Sequence, residues 1–340
     1  MSLIYHERYL DHIQQWGHPE SPERLKAILN KIDTVDFTPE IITPEPAKDK
    51  DLQKVHTKQY IDLVRNFGEG YLDPDTYHHE ETYEIACLAA GGGLLAANLA
   101  FDEKRPTFVV PRPPGHHSTT SASGGFCYFN NIAIAAQALL SRKKTPAERI
   151  AIVDIDVHHG NGTHDIFFDR KDVLYISTHQ WGIYPGTGHE ELTGDKEGKG
   201  FTVNIPFYSG AGDSSFDLTY QQLIEPIIQQ YKPSIILVSI GTDAHYQDPL
   251  ASLALSSDGY LSTAKKLIKL SKNVCQSKVA FFLEGGYDVE VLGEIVTAIL
   301  AIFDGHDYDL EFTDNIDQDY AGEKVVNKCL EIQKPIWDLG

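Results

Sequence analysis

The sequence predicts an α/β fold around a mostly parallel sheet, and three observations carry the prediction. Short runs such as Ile150-Ala151-Ile152-Val153 and Ser234-Ile235-Ile236-Leu237-Val238-Ser239-Ile240 are apolar and largely β-branched, as strands covered on both faces must be. Helix-length amphipathic runs alternate with such segments as far as about residue 304. Ionisable residues gather just past the apolar runs, where the ligand sites of parallel sheets lie.

A chain of 340 residues holds one large α/β domain or two smaller ones. With 49 acidic against 29 basic residues the formal charge is −20, so the surface should repel nucleic acid and anionic membrane and favour a cationic substrate. Cys87, Cys127, Cys275 and Cys329 lie far apart without paired spacing, which implies neither a disulfide framework nor a thiolate metal site. The N-terminus lacks an apolar signal region and no apolar run approaches a membrane span, so a soluble cytoplasmic protein is expected. No internal repeat or low-complexity tract is visible, and the acidic tail after Gly305 is expected to pack late and loosely. The oligomeric state stays open.

In chain order, His18-Pro19-Glu20-Ser21-Pro22-Glu23-Arg24 reads as a turn into a helix, with Ser21 as N-cap and Pro22 at the first helical position. A helix is expected from about Leu52 to Asn66, followed by a Gly/Pro/Asp-rich loop over 68–76. Asp73 and Asp75 there are turn carboxylates, the alternative being a rim carboxylate that grips substrate; His78 and His79 are expected to be exposed. Residues 80–101 are Ala/Leu-rich and predict a long, mostly buried helix through Gly91-Gly92-Gly93. The strand over 107–110 runs into Pro111-Arg112-Pro113-Pro114-Gly115-His116-His117, a rigid loop that presents two adjacent imidazoles, as acid–base residues often are, or else a surface histidine pair. Ser123-Gly124-Gly125-Phe126-Cys127-Tyr128 follows no strand and lacks the phosphate-loop pattern. Its glycines either let backbone approach a ligand with Phe126 as pocket wall, or simply make a turn.

A helix over 131–143 leads to the central strand at 150–153 and then to Asp154-Ile155-Asp156-Val157-His158-His159-Gly160-Asn161. If extended geometry persists, Asp154, Asp156 and His158 project to one side, with Ile155 and Val157 on the other. Catalytic zinc takes three N/O ligands plus an open position, and Asp156 and His158 supply two. Read blandly, these residues cap and turn into a helix near Thr163, but so many ionisable groups after a buried strand are costly to desolvate without a purpose. Strands at 173–177 and 201–205 flank an aromatic, Gly/Pro-containing loop with Tyr184, which suits a pocket lining. An amphipathic helix over 215–231 precedes the strand at 234–240, which delivers Asp243, the third zinc ligand, at the same sheet edge as Asp156. A helix over 257–275 and a strand over 279–283 end in Glu284-Gly285-Gly286-Tyr287, where the tyrosine either turns its hydroxyl into the site or packs in the core.

From His18-Pro19-Glu20 to about residue 304 these motifs, in order and spacing, resemble the zinc-dependent histone deacetylase family. His158-His159-Gly160-Asn161-Gly162-Thr163 looks closest to the class II enzymes and their prokaryotic relatives, the acetoin-utilisation and acetylpolyamine amidohydrolase proteins. The resemblance implies a three-layer α/β/α, arginase-like architecture with an eight-stranded, mostly parallel sheet, one catalytic domain over 1–304 and an acidic extension over 305–340 packed on it. It places zinc, for which iron(II) can substitute, on Asp156, His158 and Asp243. It makes His116 and His117 the imidazole pair, oriented by Asp154 and Asn161, with His117 the base and Tyr287 a donor to the carbonyl. Because Asn161 is a neutral partner, His117 should be less basic than with an aspartate. Phe126, Tyr184 and Gly125 correspond to an acyl-lysine tunnel, with Leu250 and Asp73 near its mouth. A structural potassium ion maps onto Asp154, Asp156, His158, Ser177 and Thr178. The implied substrate is acyl-lysine in protein or peptide.

Three rivals remain. Polyamine-selective relatives can carry glutamate where this chain has Leu250, which cannot pair with a distant ammonium. A two-manganese ureohydrolase would need an aspartate where His245 stands between Asp243 and Asp248. A non-catalytic acyl-lysine binder is disfavoured by intact His116, His117 and Tyr287.

Overall fold

A computed structural model describes residues 2–314, 316 and 320–340. The chain runs through β1 (Ser2–Ile4), α1 (Glu23–Ile32), β2 (Glu40–Ile42), α2 (Asp49–Leu52), α3 (Lys58–Asn66), a hairpin of β3 (Gly70–Asp73) and β4 (Thr76–His78), α4 (Thr82–Glu103) and β5 (Thr107–Val109). It continues through α5 (Asn131–Leu140), β6 (Ile150–Asp154), α6 (Asn161–Phe167), β7 (Val173–Gln180), β8 (Thr202–Phe207), α7 (Asp213–Thr219), α8 (Glu225–Tyr231), β9 (Ile235–Ile240), α9 (Ser257–Cys275), β10 (Val279–Leu283), α10 (Val289–Asp304) and α11 (Tyr320–Gln333).

The main sheet has eight strands in the order β2-β1-β5-β10-β9-β6-β7-β8, and every pairing is parallel. Alternate residues of the central strand enter opposite cores: Ala151 and Val153 join one cluster, and Ile150 and Ile152 the other. This is why the run is unbroken rather than alternating. The first cluster takes α1 and α7 to α10, the second the small residues Ala96, Ala97 and Ala100 of α4 with Ile132 and Ala136 of α5. Because β5, β10, β9 and β6 are neighbours and parallel, the segments after all four emerge together at one edge.

The six strands read from periodicity are present, whereas β1 and β2, three residues each, are too short to show a period. The helix expected over 52–66 is broken: Thr57 accepts the N–H of Tyr60 and starts α3, while His56 turns inward to Thr119 O (2.9 Å) and the N–H of Asn130 (2.9 Å). Ser21 supplies no side-chain cap to α1. His78 is buried against Phe67 and Tyr128, not exposed. The expectation that no apolar run approaches a membrane span overlooked α4, which is long and apolar enough by length and composition, with 72% of that window buried in the fold. α7 and α8 form one helix, joined by a π turn over Tyr220–Ile224. The end of the tail is not loose: Val326, Cys329 and Trp337 are buried in the main core, and the Trp337 indole N–H reaches Gly200 O at 3.1 Å.

Burial pushes His12 and His179 down to about 3 and His56 down to about 4. Their folded pKa lies below the unfolded value near 6.5, so each adds stability above pH 6.5 that is lost as pH falls. Each costs on the order of 1 kcal/mol per pH unit below 6.5. We expect the urea midpoint to fall clearly between pH 7 and pH 5; an unchanged midpoint would show that these histidines are not held neutral.

Candidate active site

The site begins where β6 ends. Ile155 and Val157 enter the core with Val153, which leaves Asp154, Asp156 and His158 on the opposite side. His158 Nδ1 lies 3.2 Å from Asp156 Oδ1 and 3.1 Å from Asp243 Oδ2, and one ligand atom from each residue falls within 4.8 Å of the others. Ligands about 2.0–2.1 Å from a tetrahedral ion stand roughly 3.3 Å apart, so this N/O/O set fits zinc. Main-chain N–H groups hold the carboxylates: Gly285 donates to Asp156 Oδ2 (2.8 Å), His158 to Asp156 Oδ1 (2.8 Å) and Val157 to Asp243 Oδ1 (3.1 Å). Gly285 has to be glycine, since a Cβ there would lie 2.0 Å from Asp243 Oδ2. Burial alone would lower His158, yet hydrogen bonds and charge from Asp156 and Asp243 carry it up to about 10. The two buried carboxylates thus call for a cation between them.

The loop after β5 brings His116 and His117 alongside, with ring centroids 4.0 Å apart. His116 Nδ1 faces Asp154 Oδ2 at 3.1 Å, and the Tyr175 hydroxyl donates to the same oxygen at 3.0 Å. Asn161 Oδ1 lies 2.8 Å from His117 Nδ1. An amide oxygen only accepts, so Nδ1 carries the proton and Nε2 keeps its lone pair. Burial, then the charges of His116 and His158, hold His117 well below an ordinary histidine. Burial also lowers His116, but Asp156, Asp154 and Glu284 outweigh it and raise it to about 10. The neighbours are therefore split into a charged and a neutral imidazole.

Above them is a pocket of about 240 Å³ lined by Gly125, Phe126, Ile183, Tyr184 and Leu250, with His117, His158, Tyr287 and Asp75 completing it. Gly125, at φ +53°, sits so close to His117 that a Cβ would lie 2.3 Å from its ring. The Tyr287 ring stands perpendicular to Phe126 at 6.0 Å, with the Arg24 guanidinium 5.2 Å from its centroid.

The structure brings together Asp154, Asp156, His158, Asn161, Asp243, His116, His117, Tyr287, Phe126, Tyr184, Gly125 and Leu250. Of the two turn carboxylates it is Asp75 that lines the pocket, while Asp73 accepts the Asp75 N–H at 3.0 Å. The Asp73–Asp75 pair is fixed by the turn between β3 and β4, which composition alone does not orient. Ser177 lies on β7 in register with Asp154; its hydroxyl meets His179 Nδ1 at 2.9 Å, and that of Thr178 donates to Asp154 O at 3.4 Å.

Two groups escaped the sequence reading. Glu284 accepts from Gly115 N (2.7 Å), His116 N (3.1 Å) and the Ser239 hydroxyl (3.0 Å), pinning the imidazole loop to β9 and β10. Buried Arg24 donates to Glu284 O (2.6 Å) and Gly286 O (2.7 Å) and pairs with Glu20, which Arg112 also holds. A signal existed: Arg24 falls on the apolar stripe of α1 with Leu25, Ile28 and Ile32, all buried.

The histone deacetylase domain model matches residues 18–303. A probable deacetylase of Archaeoglobus fulgidus is 39% identical over 295 residues, spanning 85% of this chain and 81% of that protein. A histone deacetylase-like amidohydrolase of Pseudomonas aeruginosa is 35% identical over 80% of this chain and 73% of its own length. The crystal structure of the HDA15 HD domain superimposes with a TM-score of 0.89 at 32% identity, covering 99% of this chain and 97% of that one. With the fold, the ligand cluster and the sequence in agreement over most of its length, the chain belongs to the histone deacetylase family.

Proposed function

We propose that the protein is a zinc-dependent amidohydrolase that removes acetyl, or a related acyl group, from the lysine side-chain amine of proteins or peptides. The observation that carries this reading is the pocket lined by Phe126 and Tyr184 that reaches His158, a member of the Asp156–His158–Asp243 cluster, beside Tyr287. An extended acyl-lysine side chain has the length and apolar stem for such a pocket. Asn161 favours the class II-like prokaryotic branch, and the four unpaired, buried cysteines suit a reducing, cytoplasmic setting.

Zinc held by Asp156, His158 and Asp243 would supply Lewis acidity at the amide carbonyl and acidify the attacking water; iron(II) can satisfy the same ligands. His117 Nε2 accepts the proton of that water as its oxygen bonds to the carbonyl carbon. His116, charged and anchored on Asp154, contributes positive charge beside the site. Tyr287 donates its hydroxyl to the carbonyl oxygen as negative charge develops there. Burial keeps that phenol well above its ordinary pKa, hence protonated. When the C–N bond breaks, the proton passes from His117 to the leaving amine, giving acetate and lysine. Structural potassium beside Asp154, Asp156, His158, Ser177 and Thr178 belongs to the same reading.

Selectivity tests the substrate class. With zinc-loaded protein we expect kcat/KM to be higher for an acetyl-lysine peptide than for N-acetylated polyamines. Leu250, 40% exposed at the mouth, offers nothing to a distant ammonium. Leu250→Glu should narrow the ratio by up to about 5-fold, the effect of one favourable charge pair at an exposed rim. A wild-type preference for polyamine would overturn the lysine reading, and tight binding of the acetylated peptide without turnover would favour the binder.

A further inference from the structure

The peptide unit that precedes Tyr287 is held from both ends, by a guanidinium at its oxygen and a carboxyl group at its N–H. Its oxygen, Gly286 O, accepts from Arg24 Nε at 2.7 Å. Its N–H, that of Tyr287, donates to Asp248 Oδ2 at 2.7 Å, and the Asp288 N–H reaches the same oxygen at 3.3 Å. The other oxygen of Asp248 accepts the N–H of Leu250 at 2.9 Å. Asp248 is only 6% exposed, and the three donors its oxygens meet here are all main-chain N–H groups.

The local chain needs such a clamp. Gly285 and Gly286 precede Tyr287, Gly286 at φ +115°, a conformation open to few other residues. Asp288 then caps α10 through the N–H groups of Glu290 and Val291. Rotation of the 286–287 peptide would swing the phenol relative to the metal-ligand cluster, although the helix behind it is fixed.

We propose that Asp248 is a positioning residue: its carboxylate clamps the main chain of Tyr287 to that of Leu250, so the hydroxyl that meets the reacting carbonyl is set by the same group that sets the pocket wall. This rests on the reading of Tyr287 as the carbonyl donor. The chemistry is specific to a carboxylate. It offers an acceptor oxygen on each side, whereas an asparagine of the same shape would turn an NH2 donor toward one of the N–H groups. A displacement of about 1 Å at a catalytic group can cost about 100-fold.

The test is a double-mutant cycle of Asp248→Asn and Tyr287→Phe, with kcat and KM on an acetyl-lysine peptide, Tm and metal content recorded for each protein. We expect Asp248→Asn alone to lower kcat about 10- to 100-fold with KM changed less than about 3-fold. In the Tyr287→Phe background the same substitution should change kcat by less than about 3-fold, because no hydroxyl remains to be misplaced. Equal losses of kcat in both backgrounds, or a rise in KM alone, would overturn the proposal while leaving the role of Tyr287 intact. Wild-type kcat in Tyr287→Phe would remove the role of Tyr287 and this proposal with it. If Asp248→Asn is too unstable to purify, Asp248→Glu, which keeps both acceptors but moves them, answers the same question in the same cycle.

Discussion

Asp243→Ala should leave the protein unable to retain a metal ion and should lower kcat/KM on an acetyl-lysine peptide by at least about 1000-fold, since losing even an outer partner of a metal ligand costs roughly 10- to 100-fold. The reasoning starts from charge. Two buried carboxylates and one imidazole gather within 4.8 Å, and removing Asp243 leaves a single carboxylate opposite His158. The substitution also strips the Val157 N–H of its acceptor, which costs about 1–3 kcal/mol. Lower Tm is therefore expected beside the lost metal, and the two are separated by measuring metal content of the folded protein after dialysis. Undiminished metal content in folded Asp243→Ala would show that the ion sits elsewhere.

Tyr287→Phe is the second large effect. Phenylalanine keeps the ring that stands against Phe126 and beneath Arg24, so the fold and the pocket shape should persist. Only the hydroxyl is lost. Removal of one oxyanion donor typically costs about 100- to 1000-fold in kcat, and that is the loss expected here, with metal content and KM little changed. A rise in KM at constant kcat would mean that Tyr287 only shapes the pocket.

How much of this was legible in the sequence follows from what each residue's position depends on. Asp156 and His158 were readable because they follow an unbroken buried strand at a spacing of two. Asp243 was readable because a second such strand ends at the same edge. β1 and β2 were not, because three residues show no period. Which of Asp73 and Asp75 lines the pocket was not legible, because a tight turn decides which of two nearby carboxylates faces it. Glu284 and Asp248 act by gripping main-chain groups of segments remote in sequence, and such bonds leave no local pattern; Arg24 does the same, but its place on the apolar stripe of α1 was a signal that went unread. α4 was read as a long buried helix of the right length, but its resemblance to a membrane span was overlooked, because its alanines and glycines suit close packing against β5 and α5 as well as they would suit lipid.

The most direct measurement is acetate release from an acetyl-lysine peptide as zinc is titrated into metal-stripped protein. The single cluster of Asp156, His158 and Asp243, found among the described residues, predicts that activity rises from baseline and levels off at about one equivalent per chain. A plateau at two equivalents would point to a binuclear hydrolase, and metal binding without acetate release would contradict the deacetylase reading itself.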